Sequence, residues 1–289
     1  MVLVLAVTFL VTLVLGAAVG AVVLRWPHAD PAAPAGAGVA AEVAEHPEAA
    51  DGVGRDLDAE GTTILGLSAA ALAVVLGGVA VGLLFLLVRT RTGFGVIDLG
   101  PARWADRQAT PASTSVLRVL TYLGSTLVVL PLAVMVGLAE GRRLASGAIV
   151  WFLLLVEGGQ LALVNLIKVV VDRARPDIHP LAEFSAASFP SGHAATAAAS
   201  FAALALLLGR RRSAVTRAAL AGAAAGLTAL VACTRVLLGV HWTTDVLAGA
   251  SLGWGWAALC SIAFGGRLLR FGAPVEQGVA GPSTPPLGR

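Results

Sequence analysis

Three short polar stretches interrupt an otherwise apolar chain, and each holds residue types able to bind or attack a phosphate. The first is Lys168-Val-Val-Val-Asp-Arg-Ala-Arg175-Pro176. Lys168 and Arg175 are seven residues apart, about two turns at 3.6 residues per turn, so on a helix both would face the same way. Pro176 then ends regular structure. Taken alone, the stretch reads equally well as a basic helix end snorkelling to headgroups. Asp172 and Arg173 read as surface partners, a pair worth little.

The second stretch, Ser188-Phe-Pro-Ser191-Gly192-His193, lies directly before an apolar run. Pro suits a first helical position, Ser can cap, and Gly lets a ligand approach the backbone. The free N–H groups of such a helix start form an anion site. An ordinary cap with an interfacial His is the plain alternative.

The third is Thr234-Arg235-Val-Leu-Leu-Gly-Val-His241-Trp242-Thr243-Thr244-Asp245. On a helix His241 and Asp245 would share a face, and the carboxylate could hold one ring nitrogen while the other acts as nucleophile or base. A His–Asp pair that only stabilises a helix start would leave Arg235 unexplained. Ionisable groups at membrane depth are costly and mark function. Two histidines, one carboxylate and three cations would make an oxyanion clamp with a nucleophile and a proton donor. Zinc would want a cluster of His, Cys or carboxylate ligands without cations among them, so neither a metal nor another cofactor is expected.

The elements that must position these residues are membrane helices. The chain of 289 residues is 57% hydrophobic and 13% charged, with a mean hydropathy of +0.85. That excludes a soluble domain. A helical span takes about 20 apolar residues. Seven runs qualify: Val2 to Leu24, Thr63 to Val88, Val116 to Leu138, Ala148 to Val171, Ala194 to Leu208, Ala214 to Val231 and Thr243 to Phe264. The fifth is short and must borrow from its flanks. The first could be a signal peptide, but it lacks a basic start and ends in Arg25-Trp26, which reads as an interfacial anchor.

The expected organisation is an N-terminal transmembrane helix over 1–25, a polar acidic linker over 26–62, a six-helix membrane domain over 63–272 and a disordered tail over 273–289. The fold class is all-α, a polytopic membrane helix bundle with a six-helix core and one extra N-terminal helix. With seven spans the three stretches fall on one side of the membrane.

Loop cations set orientation, because basic residues favour the cytoplasmic side. Loops after spans one, three, five and seven hold eleven Arg, and the opposite side holds nine Arg and Lys, among them Lys168, Arg175 and Arg235. Setting aside those three as chemistry leaves six against eleven. The three stretches therefore face out of the cytoplasm. The net charge of +3 suits anionic headgroups, and no nucleic-acid partner is expected.

The order Lys, six residues, Arg-Pro, then Pro-Ser-Gly-His, then Arg, five residues, His, three residues, Asp resembles the type 2 phosphatidic acid phosphatase superfamily. The likeness covers about Thr63 to Phe264. It implies a lipid phosphatase in which Lys168, Arg175 and Arg235 bind the phosphate with Ser191 and Gly192. It further implies that His241 attacks phosphorus, Asp245 orients His241 and His193 protonates the leaving oxygen. Thr234 stands where the family usually has Ser; its hydroxyl is expected to keep contact with phosphate. Thr244 replaces another frequent Ser.

Within that resemblance, the Ala, Val, Leu, Gly and Arg bias suggests a GC-rich bacterial genome and tilts the substrate toward undecaprenyl diphosphate. Phosphatidic acid and phosphatidylglycerol phosphate are the alternatives. A transporter or lipid-binding protein that holds a phosphate headgroup without cleaving it is the rival of another class. Binding alone, however, needs neither histidine. A soluble haloperoxidase with the same phosphate site is excluded by the apolar runs.

Outside the three stretches, His179 and Glu183 read as solvated loop residues, and His28 and His46 as linker residues without partners. Trp151, Trp242, Trp254 and Trp256 read as interfacial or packing residues. Gly222 with Gly226, and Gly249 with Gly253, suggest close helix contacts. Cys233 and Cys260 sit in apolar runs and give no disulfide framework. No feature speaks to oligomeric state.

Overall fold

A computed structural model describes residues 2–25, 76–86, 95–143, 147–177, 187–210 and 212–268. The expected linker over 26–62 with His28 and His46, the loop residues His179 and Glu183, and the tail over 273–289 lie outside the described residues. All regular structure among the described residues is helical.

The N-terminal run forms α1, Val2–Arg25, and Leu76–Leu86 forms α2, the described part of the second run. Next come α3, Gly95–Gln108, and α4, Pro111–Thr121. A 3₁₀ turn over Tyr122–Gly124 leads into α5, Thr126–Arg143. The remaining helices are α6, Ala148–Val171; α7, Gly192–Gly209; α8, Ala214–Leu237; and α9, Thr243–Leu268.

Four helices, α1, α6, α7 and α8, are long and apolar enough to cross a membrane, and α4 with α5 passes as one broken span bent by 42°. The third expected run, Val116 to Leu138, thus forms a span broken by a bend. The break falls where Gly124 must approach another backbone, since a Cβ there would lie 2.7 Å from the His193 carbonyl oxygen. With 26 residues and a rise of about 1.5 Å each, α9 is about 39 Å long, more than the roughly 30 Å hydrocarbon core needs. α8 continues past the expected end at Val231 to Leu237, and α3 was not foreseen.

α7 is the central post, packed against α6, α8 and α9 and buried along most of its length. Its alanines allow this, because van der Waals contact between small residues drives helix association in lipid. On α9 the glycine pair does what its spacing suggested: a Cβ on Gly249 or Gly253 would come 2.4 or 2.3 Å from the carbonyl oxygens of Ser191 and Ala195. α1 uses the same device on α8, where a Cβ on Gly222 would meet Gly16 O at 2.6 Å. Elsewhere Leu13, Leu127, Trp151 and Val169 point outward, giving the bundle an apolar exterior suited to lipid.

Between α6 and α7 lies a column of buried polar side chains. Gln160 Nε2 donates to Thr196 Oγ1 at 2.9 Å, and Ser200 Oγ donates to Glu157 Oε1. One turn and more above this column the same two helices carry Lys168 and His193.

Candidate active site

The site forms where α6, α7, α8 and α9 end or begin. α6 stops at Val171, and Asp172 caps it in the left-handed region at φ 41°. That turn leaves Arg173 and Arg175 beyond the helix, so the expected shared helical face of Lys168 and Arg175 does not exist. They meet through a loop carbonyl instead: Lys168 Nζ donates to Ala187 O at 2.8 Å, and Arg175 Nη2 donates to the same oxygen at 3.4 Å. Arg175 Nη1 also donates to Val240 O at 2.6 Å.

The second motif enters α7 with Ser191 as N-cap and Gly192 as first helical residue, so Pro190 stands before the helix rather than at its first position. Ser191 N donates to Asp245 O at 2.9 Å. The Ser191 hydroxyl makes no cap bond; it is buried without a partner. The first amides of α7, from Gly192 onward, have no intrahelical acceptor and face the same end.

The third motif turns between α8 and α9. Gly239 adopts φ 67°, a conformation costly for residues with a Cβ, and His241 N donates back to Arg235 O at 3.3 Å. His241 thus sits before α9, not on a common helix with Asp245 as the four-residue spacing suggested. The pair still meets, with His241 Nδ1 3.5 Å from Asp245 Oδ2. The other ring nitrogen, Nε2, lies 3.3 Å from Arg175 Nη1. Arg235 donates from Nη1 to Thr121 Oγ1 at 3.1 Å, and its Nε is buried without a partner. His193, at the head of α7, lies within electrostatic reach of Arg235, His241, Lys168 and Arg175. Lys168, Arg175, His193, Arg235, His241 and Asp245 are therefore drawn to one place.

Two expectations fail. The Thr234 hydroxyl donates to Val231 O at 2.6 Å inside α8 and is fully buried, so it is spent on the helix and not turned toward a phosphate. Arg173 is no surface partner of Asp172. It donates from Nη1 to Asp245 Oδ1 at 2.5 Å and to Thr244 Oγ1 at 2.8 Å, and from Nη2 to Asp98 Oδ2 at 2.7 Å. Its guanidinium also lies 5.4 Å from the centre of the Trp242 ring.

Asp245 is wholly buried, and three groups besides His241 hold its carboxylate. Oδ2 accepts from Ser188 Oγ and from Trp242 N at 2.9 Å, and Oδ1 faces Arg173. Asp98 and Ser188 are the members of this group to which sequence reasoning assigned no role, and Arg173 the one it placed on the surface.

Two of the loop groups titrate abnormally. Burial pushes the His241 imidazole down to about 4; Asp245 opposes that by favouring the charged ring, while the cations Arg175 and Arg235 add to it. Arg175 is lowered from its ordinary value by burial, with Asp245 acting the other way. His241 is thus a neutral imidazole at neutral pH, with Nε2 aimed among cations. A ring nitrogen backed by a carboxylate and surrounded by Lys and Arg is suited to attack on an anionic phosphoester.

Cations and histidines gathered at one end of a membrane bundle define a phosphate-handling membrane enzyme. Residues 149–268 match the family model described as the PAP2 superfamily. The chain is 37% identical over 147 residues to phosphatidylglycerophosphatase B of Bacillus subtilis (strain 168), an alignment covering 50% of this chain and 71% of the relative. It is 38% identical over 128 residues to lipid A 1-phosphatase of Rhizobium johnstonii, covering 41% of this chain and 48% of that one. The crystal structure of a transmembrane PAP2 type phosphatidylglycerolphosphate phosphatase from Bacillus subtilis superposes with a TM-score of 0.59 at 31% identity, covering 67% of this chain and 98% of that one. The chain belongs to the PAP2 superfamily, as a multi-pass membrane lipid phosphatase.

Proposed function

We propose that this chain removes the terminal phosphate of a membrane lipid at the outer face of the membrane, through a phosphohistidine and without a metal. The observation that supports it most is the cation Arg175 3.3 Å from His241 Nε2, in a cluster with further donors. Lys168, Arg175 and Arg235 supply three cations, and Arg235 Nε and Ser191 Oγ are buried donors without protein acceptors. Such donors cost stability unless an anion takes them up. Phosphoryl transfer needs little more from a protein than positioning and charge of this kind.

In the proposed cycle His241 Nε2 attacks phosphorus in line, the P–O bond to the lipid breaks, and His193 gives its proton to the departing oxygen. Asp245 holds the proton on His241 Nδ1 as the ring becomes cationic. Water then attacks the phosphohistidine, with His193 taking its proton, and orthophosphate leaves. Gly192 and the amides after it complete the cradle with Ser191.

For the substrate, the relative named phosphatidylglycerophosphatase B makes phosphatidylglycerol phosphate the first to test. Undecaprenyl diphosphate, suggested by composition, is the second reading. Purified protein in EDTA should release phosphate from phosphatidylglycerol phosphate with higher kcat/KM than from undecaprenyl diphosphate or phosphatidic acid. A reversed order reassigns the substrate. Loss of all turnover in EDTA, restored by a divalent metal, refutes the mechanism.

A further inference from the structure

Asp98 lies on α3, outside the residues matched by the family model, yet it reaches the centre of the site. α3 has two faces: Asp98, Ala102 and Ala105 are buried, while Ile97, Arg103, Asp106 and Arg107 are exposed. From the buried face Asp98 accepts the Thr244 amide on Oδ1 at 2.9 Å and the Thr244 hydroxyl on Oδ2 at 2.9 Å. It also holds Arg173 Nη2 at 2.7 Å. Arg173 is therefore a fork split between two carboxylates, one arm on Asp98 and the other on Asp245 Oδ1.

That division matters because a guanidinium prefers to grip one carboxylate with both arms. A two-armed grip on Asp245 would occupy Oδ2 as well as Oδ1. Oδ2 is the oxygen 3.5 Å from His241 Nδ1, and it already accepts from Ser188 and Trp242. A further donor there would draw the carboxylate away from the imidazole. We propose that Asp98 is a positioning residue for the nucleophile: by keeping one arm of Arg173 it confines that guanidinium to Oδ1 of Asp245 and leaves Oδ2 to His241. This rests on the phosphohistidine reading above, and it adds a member to the machinery from a helix that the three motifs do not include.

The test compares Asp98→Asn, Arg173→Gln and the double variant in the full-length purified protein, with phosphatidic acid in detergent micelles as the probe. Asp98→Asn keeps an acceptor for the Thr244 amide but loses the charge that holds Arg173. Its kcat should fall about tenfold, the effect of about 1.4 kcal/mol of lost transition-state support, with KM within about twofold of the parent. In the Arg173→Gln background the same change should cost nothing further, because no fork remains to be divided. An unchanged kcat in Asp98→Asn overturns the proposal, and so does an equal additional loss in the double variant, which would mean that Asp98 only caps α9 through Thr244. If Asp98→Asn fails to fold on its own, the comparison of Arg173→Gln with the double variant carries the test: an equal kcat supports the proposal, and a further loss in the double variant overturns it. His241→Ala run alongside keeps the two readings apart, since turnover surviving in that variant refutes the phosphohistidine whatever Asp98 does.

Discussion

Lowering the pH should leave the nucleophile active far below the point at which an ordinary histidine is lost. Burial is the main cause of the low pKa of His241, about 4; Arg175 and Arg235 lower it further, and Asp245 only partly offsets them. At pH 5 a ring titrating at about 4 is roughly 90% neutral, whereas one at the ordinary value of about 6.5 is only ~3% neutral, a difference of about 30-fold in competent enzyme. The assay is kcat/KM from pH 4 to 8, which reports ionisations of the free enzyme. The substrate's own second phosphate ionisation, near about 6, is measured by phosphorus NMR and divided out. The remaining acid limb should fall near pH 4. Arg175→Gln removes the cation 3.3 Å from Nε2 and should move that limb upward even as phosphate binding weakens. The same group makes stability depend on pH. Its folded pKa lies below its unfolded value of about 6.5, so the unfolded chain binds the extra proton between the two. Stability therefore falls as pH drops from about 6.5 to about 4, by roughly 3–3.5 kcal/mol in all, and this contribution is constant outside that window. An enzyme limb between pH 6 and 7 would refute the assignment of His241 as a buried, neutral nucleophile.

Removing the proposed acid should discriminate between leaving groups: His193→Ala should keep proportionally more activity on an aryl phosphate than on phosphatidic acid, and equal losses would show that His193 is not the acid. With Cys233 and Cys260 replaced by Ala, a cysteine at Asp177 should react with a membrane-impermeant maleimide on intact cells and one at Arg212 should not; the reverse pattern would place the site in the cytoplasm. Gly253→Val should separate α9 from α7, because its Cβ would lie 2.3 Å from Ala195 O. Overpacking of this kind costs about 1–3 kcal/mol, so the thermal midpoint in detergent should drop, and an unchanged midpoint would mean that the close approach is not needed.

The chemistry was legible where neighbours in sequence are neighbours in space. Lys168, Arg175, His193, Arg235, His241 and Asp245 stood out as polar residues at fixed spacings in apolar surroundings, and in the structure they lie near one another. The helical reasons given for those spacings served less well. Asp172 in the left-handed region ends α6 before Arg175, and Gly239 turns the chain before His241, so both pairs meet across bends. Arg173 was misread because pairing was sought next door, with Asp172. Its partners are 72 and 75 residues away, a separation invisible to periodicity. α3 escaped notice for a related reason: it is short, carries Pro101 and four charged residues, and its buried face shows only once α1, α8 and α9 are present to cover it.

The division of labour between motif and scaffold follows from the membrane. A cationic pocket repels its own members, and desolvation raises the cost of each charge. Lys168 and Arg175 are held together by a shared carbonyl at Ala187, and Asp245 is held by donors from three separate segments. Neither arrangement survives a slip of α6 along α7. The polar column below the site opposes that slip: Glu157 and Gln160 lie on the Lys168 side of α6, spaced at three, eight and eleven residues, while Thr196 and Ser200 follow His193 at three and seven. Helical spacing of this kind puts each set on one face, so the hydrogen bonds Gln160–Thr196 and Glu157–Ser200 tie the two helices at the register that sets Lys168 beside His193. Apolar contacts alone would tolerate neighbouring registers almost equally, because lipid competes for the same surfaces. Buried polar pairs do not, since a slipped helix leaves each of them unsatisfied in hydrocarbon. The carboxylate deep in the span is thus explained by the position of the site more than ten residues above it, and a phosphatase that must keep cations crowded together gains that order from bonds far from the phosphate.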